Sequence, residues 1–394
     1  MRTLSQIAAV TTMNLRNLPG RSSTAVVAMV GIAGVVAVLL GVLSIREGFR
    51  KTLVTAGSPS VALVLRAGSN SEMSSIIFKD AIGIIEQAPG VAHDAQGALV
   101  SPEPYVVVDI AKRTTNTTAN VPLRGVNADA VRVHENVHVV EGRMFASGLN
   151  ELLVGRGAQG QFRGLDVGNT VKWGRTTWTV VGIFEAGGGL PESEIWADAH
   201  AVQDAYNRVS YQTVRVNLES PDAFQKFKDA LTSDPRLEVG VERESEFYAG
   251  QSTYLTNFVQ VFGGIVGVLM GLGAVFGAIL TMYSAVAGRT REIATLRALG
   301  FGALPIVVSV LVEALLLGLV GGIIGGLIAY AWFNGMHTTT LNWQSFSQVT
   351  FAFAVTPALL VTGITYALLL GLIGGLLPSR RAARLPITQG LREL

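Results

Sequence analysis

The chain has 394 residues, 49% hydrophobic and only 15% charged, with 45 glycines and no cysteine. Soluble proteins average about 25% charged residues, so the composition excludes an ordinary soluble enzyme, and any folded domain must hold together without disulfides. The formal net charge of +2 does not point to nucleic acid, which would call for a basic face on a folded domain.

Residues 22–45 contain no Asp, Glu, Lys or Arg. A helix needs about 20 apolar residues to cross a bilayer, so a first span is placed over roughly Thr24–Leu43. The run is longer than a signal-peptide core and no A-x-A cleavage pattern follows, so it is read as a retained span.

Arg46–Glu246 reads as mixed α and β. Val61–Arg66 and Tyr105–Ile110 are β-rich, and Ile76–Gln87 has helical spacing that stops at Pro89-Gly90. Thr170–Trp173 and Thr177–Phe184 flank Gly174-Arg175, a two-residue hairpin signal. Val214–Leu218 reads as a strand and Pro221–Leu231 as a helix. Two subdomains are expected, one built from both ends of the insert and one from its middle.

Phe247–Gly288 holds no charged residue over 42 positions. As a helix it would extend about 63 Å, against a hydrocarbon core of about 30 Å. A second span is placed within Phe258–Ser284, with the polar stretch FYAGQSTYLTNF as a stalk outside the membrane. Residues Arg46–Leu53 are expected to extend the first span in the same way. Paired stalks would couple the insert mechanically to the membrane, a flexible linker being the alternative.

A third span falls within Leu304–Phe333 and a fourth within Phe353–Leu377, separated by the uncharged, polar loop Asn334–Thr350. Glu313 is the only charge between Arg297 and Arg380. An acid at mid-span costs about 2.5–3.5 kcal/mol on insertion scales. Glu313 lies about two turns into its span, so it is read as structural, reaching the interface or pairing with an arginine, ahead of a proton or ion site. Gly263, Gly267 and Gly271 are four apart, as are Gly318, Gly322 and Gly326. That spacing lets helices approach closely, within one chain or between two.

Orientation follows from basic residues near the span ends. The cytoplasmic flanks would carry ten arginines and two acids, while the outside region holds 20 basic and 25 acidic residues. Both termini and the loop after the second span are therefore placed in the cytoplasm.

Three motif matches do not carry chemistry. HENVH, His134 to His138, fits H-E-x-x-H, in which a helix puts two histidines on one face with the glutamate as base. Its valine-rich setting suits a strand equally well, and no third ligand has a diagnostic spacing. A membrane-anchored zinc protease using His134, Glu135 and His138 is the alternative from another class, with metal otherwise not expected. GRGAQG, Gly155 to Gly160, fits G-x-G-x-x-G, but Arg175 stands where a dinucleotide site wants an acid. The same stretch nearly fits a phosphate loop, yet Gln161 and Phe162 replace the Lys and Ser/Thr needed. No ATP-binding domain is expected on the chain.

The loop TREIATLRALG, Thr290 to Gly300, closely resembles the T-R-E-I-x-x-x-R-A-L-G signature of MacB/FtsX-like permeases of ABC transporters. VEALLLGLVGGIIGGLIA resembles that family's third span, and LPSRRAARLPITQGLREL its tail. VEGRMF, LDVGNTVKW and WTVVGIFE are similar to segments of the MacB-type periplasmic domain. The resemblance covers nearly the whole chain. It implies a fold of four transmembrane α-helices with a large α+β extracytoplasmic domain between the first two spans. It divides the chain into 1–45 (cytoplasmic segment and first span), 46–246 (extracytoplasmic domain), 247–288 (stalk and second span), 289–303 (coupling helix loop), 304–377 (third and fourth spans) and 378–394 (cytoplasmic tail).

The resemblance further implies a permease in a bacterial inner membrane, driven by a separate ABC ATPase dimer that would hold ATP and Mg, with no cofactor on this chain. Only about 22 residues precede the first span, so the ATPase of the fused exporters is not expected on this chain. A second permease copy, identical or related, and membrane lipid would complete the assembly, with a periplasmic adaptor or membrane fusion protein in some systems. Coupling is assigned to Thr290, Arg291, Glu292, Ile293, Leu296, Arg297, Ala298, Leu299 and Gly300. Ile293, Leu296 and Leu299 would dock apolar surface while Arg291, Glu292 and Arg297 satisfy charged rims or lipid phosphates. The expected function is transmitted motion that exports or extracts a lipid, lipoprotein, peptide or drug. An FtsX-type activator of cell-wall hydrolases is the alternative, which the roughly 200-residue insert disfavours.

Overall fold

The computed structural model describes residues 2–17, 22–127, 130–342, 347–384 and 386. Arg21 and most of the tail motif after Arg384, including Arg392, lie outside them. In chain order the elements begin with helices α1 (Arg2–Arg16) and α2 (Ser22–Ala56), then strand β1 (Val61–Arg66), a 3-10 turn (Glu72–Ser74), β2 (Ile77–Phe78) and α3 (Lys79–Glu86). Next come β3 (His93–Asp94), β4 (Gly97–Ala98), β5 (Val100–Glu103), β6 (Tyr105–Ala111), β7 (Thr118–Val126) and α4 (Ala130–Val133). These are followed by β8 (His138–Gly142), β9 (Glu151–Gly155), α5 (Arg156–Gln161), β10 (Thr170–Trp173), β11 (Thr176–Glu185), a second 3-10 turn (Leu190–Ser193), β12 (Ile195–Asp198) and α6 (Ala199–Ala205). Finally come β13 (Ser210–Tyr211), β14 (Thr213–Asn217), α7 (Ala223–Thr232), β15 (Val239–Arg243), α8 (Glu244–Ala287), α9 (Thr290–Ala298), α10 (Ala303–Phe333), β16 (His337–Asn342), β17 (Ser347–Ala352) and α11 (Pro357–Arg384).

Two compact units emerge: residues 1–47, 257–336 and 353–394 form one, and residues 48–256 and 337–352 the other. The first is a helical bundle. Among the described residues four helices, α2, α8, α10 and α11, are long and apolar enough to cross a membrane. Helices in lipid gain little from burying apolar side chains against one another, so close backbone approach and polar contacts must hold them. The glycines supply that approach. A Cβ on Gly318 would stand 2.8 Å from the carbonyl oxygen of Ala367, and one on Gly322 2.7 Å from the Ala367 Cβ, both on α11. One on Gly326 would meet Leu360 at 3.3 Å. Gly321 and Gly325, on a second stripe of the same helix, would meet Met29 and Ala33 of α2. On α8, Gly263 and Gly267 lie against Val42 and Leu39 of α2, and Gly271 lies under the Tyr366 hydroxyl. That hydroxyl donates to the Gly267 carbonyl at 2.5 Å.

The second unit contains two main sheets. The four-stranded sheet, β15-β1-β14-β5, is antiparallel and takes its strands from both ends of the insert. Helices α3 and α7 cover it, with Phe227, Ile85 and Leu231 fully buried. The seven-stranded mixed sheet runs β10-β11-β9-β12-β7-β6, with β8 added beside β11. Its core gathers Trp178, Phe162, Leu123 and Leu152. Gly174 adopts φ +59° in the tight turn where Trp173 pairs with Thr176. That left-handed conformation suits a residue without a Cβ.

The stretch between α10 and α11 is not a bare loop. It folds as the hairpin β16–β17 and belongs to the second unit. Thr350 N–H donates to Ser193 Oγ at 2.8 Å, Lys112 Nζ donates to Gln348 Oε1 at 3.3 Å, and Asn342 Nδ2 donates to Gln251 Oε1 at 2.8 Å. Phe351 meets Phe49 edge to face at 5.5 Å. The uncharged threonines and serines of this stretch read as linker in sequence because their partners are distant in the chain.

Filling the α10–α11 contact should be costly. Gly318→Val or Gly322→Val should destabilise the detergent-solubilised chain by about 1–3 kcal/mol, the usual penalty of overpacking. Gly31→Ala, where a Cβ meets nothing within 4 Å, should not lower the melting temperature.

Candidate functional site

The turn after α8 passes through Gly288 and Arg289 into the nine-residue helix α9. Its C-terminus closes in a Schellman arrangement: Phe301 N–H reaches Leu296 O at 3.1 Å and Gly300 N–H reaches Arg297 O at 3.1 Å. Gly300 sits at φ +91°, the left-handed position that this motif assigns to glycine. The chain then turns at Gly302 into α10.

Three polar contacts fix this corner of the bundle. Arg289 forks onto Glu313, with Nη1 at 2.9 Å from Oε2 and Nη2 at 3.0 Å from Oε1. Their side chains are 4% and 6% exposed. One turn before Glu313 on α10, Ser309 accepts from Asn14 of α1. At the far end of α9, Arg297 donates to the Ala383 carbonyl of α11. Underneath, Thr290, Ile293 and Ala294 are buried, with Ile293 packed among Met282, Val286, Ile306, Val310 and Ala382.

This corrects one assignment from the sequence. Ile293 is 6% exposed and turned into the bundle, not presented with the outward face of α9 as the sequence reading had it. Leu296 is half-buried and lines a small void with Val10, Met13 and Asn14 of α1. The outward face is Arg291, Thr295, Ala298 and Leu299, with Glu292 and Gly300 also exposed and Leu299 at 72%. The three-residue spacing of Ile293, Leu296 and Leu299 spreads them around the short helix, since three residues turn about 300°. Helix α1 was not anticipated. Its side of the void places an amphipathic N-terminal helix against α9.

The H-E-x-x-H alternative finds no helix to carry it. Helix α4 ends at Val133, His138 opens strand β8, and no single helix carries both histidines. His134 Nε2 is taken by Glu103 Oε1 at 2.8 Å, and its ring packs on Trp196 at 4.7 Å. Among the described residues no group of three His, Cys, Asp or Glu could hold a metal. GRGAQG has a packing explanation too. A Cβ on Gly155 would stand 2.3 Å from the Glu192 carbonyl oxygen, and one on Gly157 3.0 Å from the same atom. These glycines admit the second 3-10 turn.

Around His134 lies a buried charge cluster that no sequence signal marked. Arg124 on β7 binds Glu194 through Nε at 2.7 Å, and Glu72 and Glu103 through Nη1 at 2.7 and 2.8 Å. Its guanidinium also lies 5.0 Å over the Tyr105 ring. Arg215 on β14 pairs with Glu244 at the start of α8. Glu103 and Arg215 lie on strands of the four-stranded sheet and Glu244 follows its β15, while Arg124 lies on β7 of the seven-stranded sheet and Glu194 just precedes its β12, so the cluster joins the two sheets. Burial raises the Glu72 carboxyl. Burial opposes Glu103 as well, but His134 and Arg124 outweigh it and hold that carboxyl at about 2. Burial, helped by Arg215, lowers His134.

Residues 25–234, more than half of the chain, match the MacB-like periplasmic core domain, and residues 264–387 match the FtsX-like permease C-terminal region. Four helices long and apolar enough to span a membrane, with an α+β domain inserted in sequence between the first two, fit the class of membrane permeases. The chain belongs to the MacB/FtsX-like family of ABC transporter permeases, generally non-enzymatic components that work with an ABC ATPase. Solved structures that match part of the chain include the extracellular domain of the noncanonic ABC-type transporter YknZ from Gram-positive bacteria, at 18% identity, 46% of this chain, 100% of that chain and TM-score 0.35. The periplasmic region of MacB from Actinobacillus actinomycetemcomitans matches at 10% identity over 50% of this chain and 95% of that chain, with TM-score 0.37. A domain of a putative permease protein from Porphyromonas gingivalis matches at 13% identity over 46% of this chain and 87% of that chain, with TM-score 0.30. No curated protein matches the sequence.

Two outcomes follow for the buried cluster. Arg124→Ala strands three carboxylates and should destabilise the inserted domain by about 3–5 kcal/mol in chemical denaturation. His134 is harder to protonate when folded, so between its folded value and 6.5 the unfolded chain binds the extra proton. Its contribution is therefore present at neutral pH and lost as pH falls below 6.5. The melting temperature of the parent chain should drop more than that of His134→Gln between pH 7.5 and 5.5.

Proposed function

We propose that this chain is the motion-transmitting permease subunit of an ABC transporter in a bacterial inner membrane, with both termini in the cytoplasm and the inserted domain in the periplasm. The supporting observation is α9. It is a short helix between two spans, held on its inner side by Arg289, Ile293 and Arg297 and open on its outer side at Arg291, Thr295, Ala298 and Leu299. A helix held on one face and open on the other suits a docking element that must not yield when pushed. Arginines concentrated at this end of the bundle support the orientation.

In this reading a separate ABC ATPase dimer carries ATP and Mg, and two permease copies sit on it. Leu299 enters an apolar site on each ATPase while Arg291 meets its polar rim. Nucleotide-driven closure displaces α9. Helix α8 is 44 residues long, about 66 Å as a continuous helix, and so exceeds a hydrocarbon core of about 30 Å by a wide margin. The excess serves as a stalk toward the inserted domain. The output is movement on the periplasmic side that extracts or exports a lipid, lipoprotein, peptide or drug, with an adaptor protein where the route continues outward. The match of the insert to the MacB-like core domain supports this reading over activation of a cell-wall hydrolase.

Co-expression with candidate ABC ATPases tests it. The chain should copurify with one of them and raise or restrain its ATPase rate. Leu299→Asp should weaken that association at least about 30-fold, the cost of losing a 2 kcal/mol hot spot, without lowering the melting temperature of the isolated chain. Failure to recover any ATPase complex would overturn the reading.

A further inference from the structure

Arg289 and Glu313 lie apart in sequence and meet inside the bundle, and neither belongs to the outward face of α9. The pair has three properties that a merely topological arginine lacks. It is bidentate, which fixes the guanidinium plane against the carboxylate as well as the distance. It is enclosed, with both side chains at most 6% exposed, so water cannot replace either partner cheaply. And it lies at a junction: Arg289 is the residue just before α9, while Glu313 is ten residues inside α10, about 15 Å along the helix from Ala303.

The neighbouring contacts complete the joint. Ser309, four residues before Glu313 and thus on the same face of α10, takes the Asn14 amide from α1. Arg297 ties the other end of α9 to Ala383 on α11. Ile293 and Ala294 fill the underside. A load on the outer face of α9 therefore meets no slack loop. It passes at the N-terminal end through Arg289 into α10 and at the C-terminal end through Arg297 into α11.

We infer that the Arg289–Glu313 pair is the positioning link through which displacement of α9 is transmitted to α10, with Asn14–Ser309 holding α1 to the same joint. The inference rests on the proposed docking of an ATPase at α9. Arg289 and Glu313 act through α9 and do not touch the partner. Removing the link should leave the partner bound and the motion lost, which separates transmission from docking.

The chain has no cysteine, so one introduced thiol reports cleanly. Met336, just beyond the far end of α10 and 42% exposed, is a suitable place. Met336→Cys chain, copurified with its ATPase and reconstituted in nanodiscs, is labelled with a maleimide without nucleotide and with ATP plus vanadate. The parent should show a nucleotide-dependent change in labelling rate. In Glu313→Gln and Arg289→Gln that change should shrink at least about fivefold, the lower end of coupling between distinct sites, with the amount of bound ATPase unchanged. The doubly neutral Arg289→Gln/Glu313→Gln chain strands no buried charge and should fold even if a single variant does not. It too should bind the ATPase without responding to nucleotide, and the reversed pair Arg289→Glu/Glu313→Arg should restore part of the response. A parent that shows no change, or a doubly neutral chain that keeps the full change, overturns the inference. Failure to recover the ATPase with the parent chain would instead count against the docking at α9.

Discussion

Ala367 lies against α10 at Gly318 and Gly322, where a side chain on either glycine would collide with it. The bundle depends on this kind of contact. Inside a hydrocarbon core, burying leucine against leucine gains little over leaving it in lipid, so helices cohere where their backbones can approach. Helix α10 meets that constraint on two stripes, with Gly318, Gly322 and Gly326 toward α11 and Gly321 and Gly325 toward α2. It therefore occupies the middle of the bundle, and its polar residues Ser309 and Glu313 can serve neighbours on either side of the chain. Helix α8 by contrast leaves large apolar side chains exposed, among them Val261, Ile265, Val268 and Leu272.

Charge is buried in both units, and the same physics governs each case. A carboxylate removed from water needs a partner of opposite sign and enough donors to satisfy its oxygens. In the bundle one arginine and one glutamate suffice, joined by two hydrogen bonds. In the inserted domain, Arg124 serves three carboxylates at once; burial, with the neighbouring carboxylates adding to it, pushes Glu72 up, while Glu103, with His134 as a second partner, is held down. Hydrophobic sheets could have met through apolar side chains alone. An ion cluster at their junction adds direction, because a guanidinium that binds three carboxylates tolerates little rotation.

Some elements were legible because their signals are local. Val61–Arg66 is a continuous apolar run and appears as β1 at those residues. The hairpin at Gly174-Arg175 was announced by its turn glycine. The four spans follow from counts of uncharged residues. The candidate site was legible only in part. TREIATLRALG marked the helix, yet which of its leucines and isoleucines face outward depended on the phase of nine residues against α1 and α10. HENVH, set aside in the sequence reading, shows the opposite case. A motif defined by helical spacing means nothing once α4 stops at Val133, and His134 proved to be a buried hydrogen-bonding residue. Lys79–Glu86 is shorter than its helical pattern because Ile77–Phe78 is drawn into pairing with β13.

The sequence alone determined that the chain spans a membrane four times with an α+β insert, and that it carries the marks of an ABC transporter permease. Those conclusions rest on the solvation of charges and on short motifs, both properties of neighbouring residues. Only the tertiary structure decided that Arg289 is the partner of Glu313, that residues 337–352 form a hairpin within the inserted domain's unit, that α1 packs beside α9, and that Arg124 gathers Glu72, Glu103 and Glu194. Each of these joins groups tens or hundreds of residues apart. The energy of such a contact depends on burial and geometry at the meeting point, which no local pattern of residues encodes.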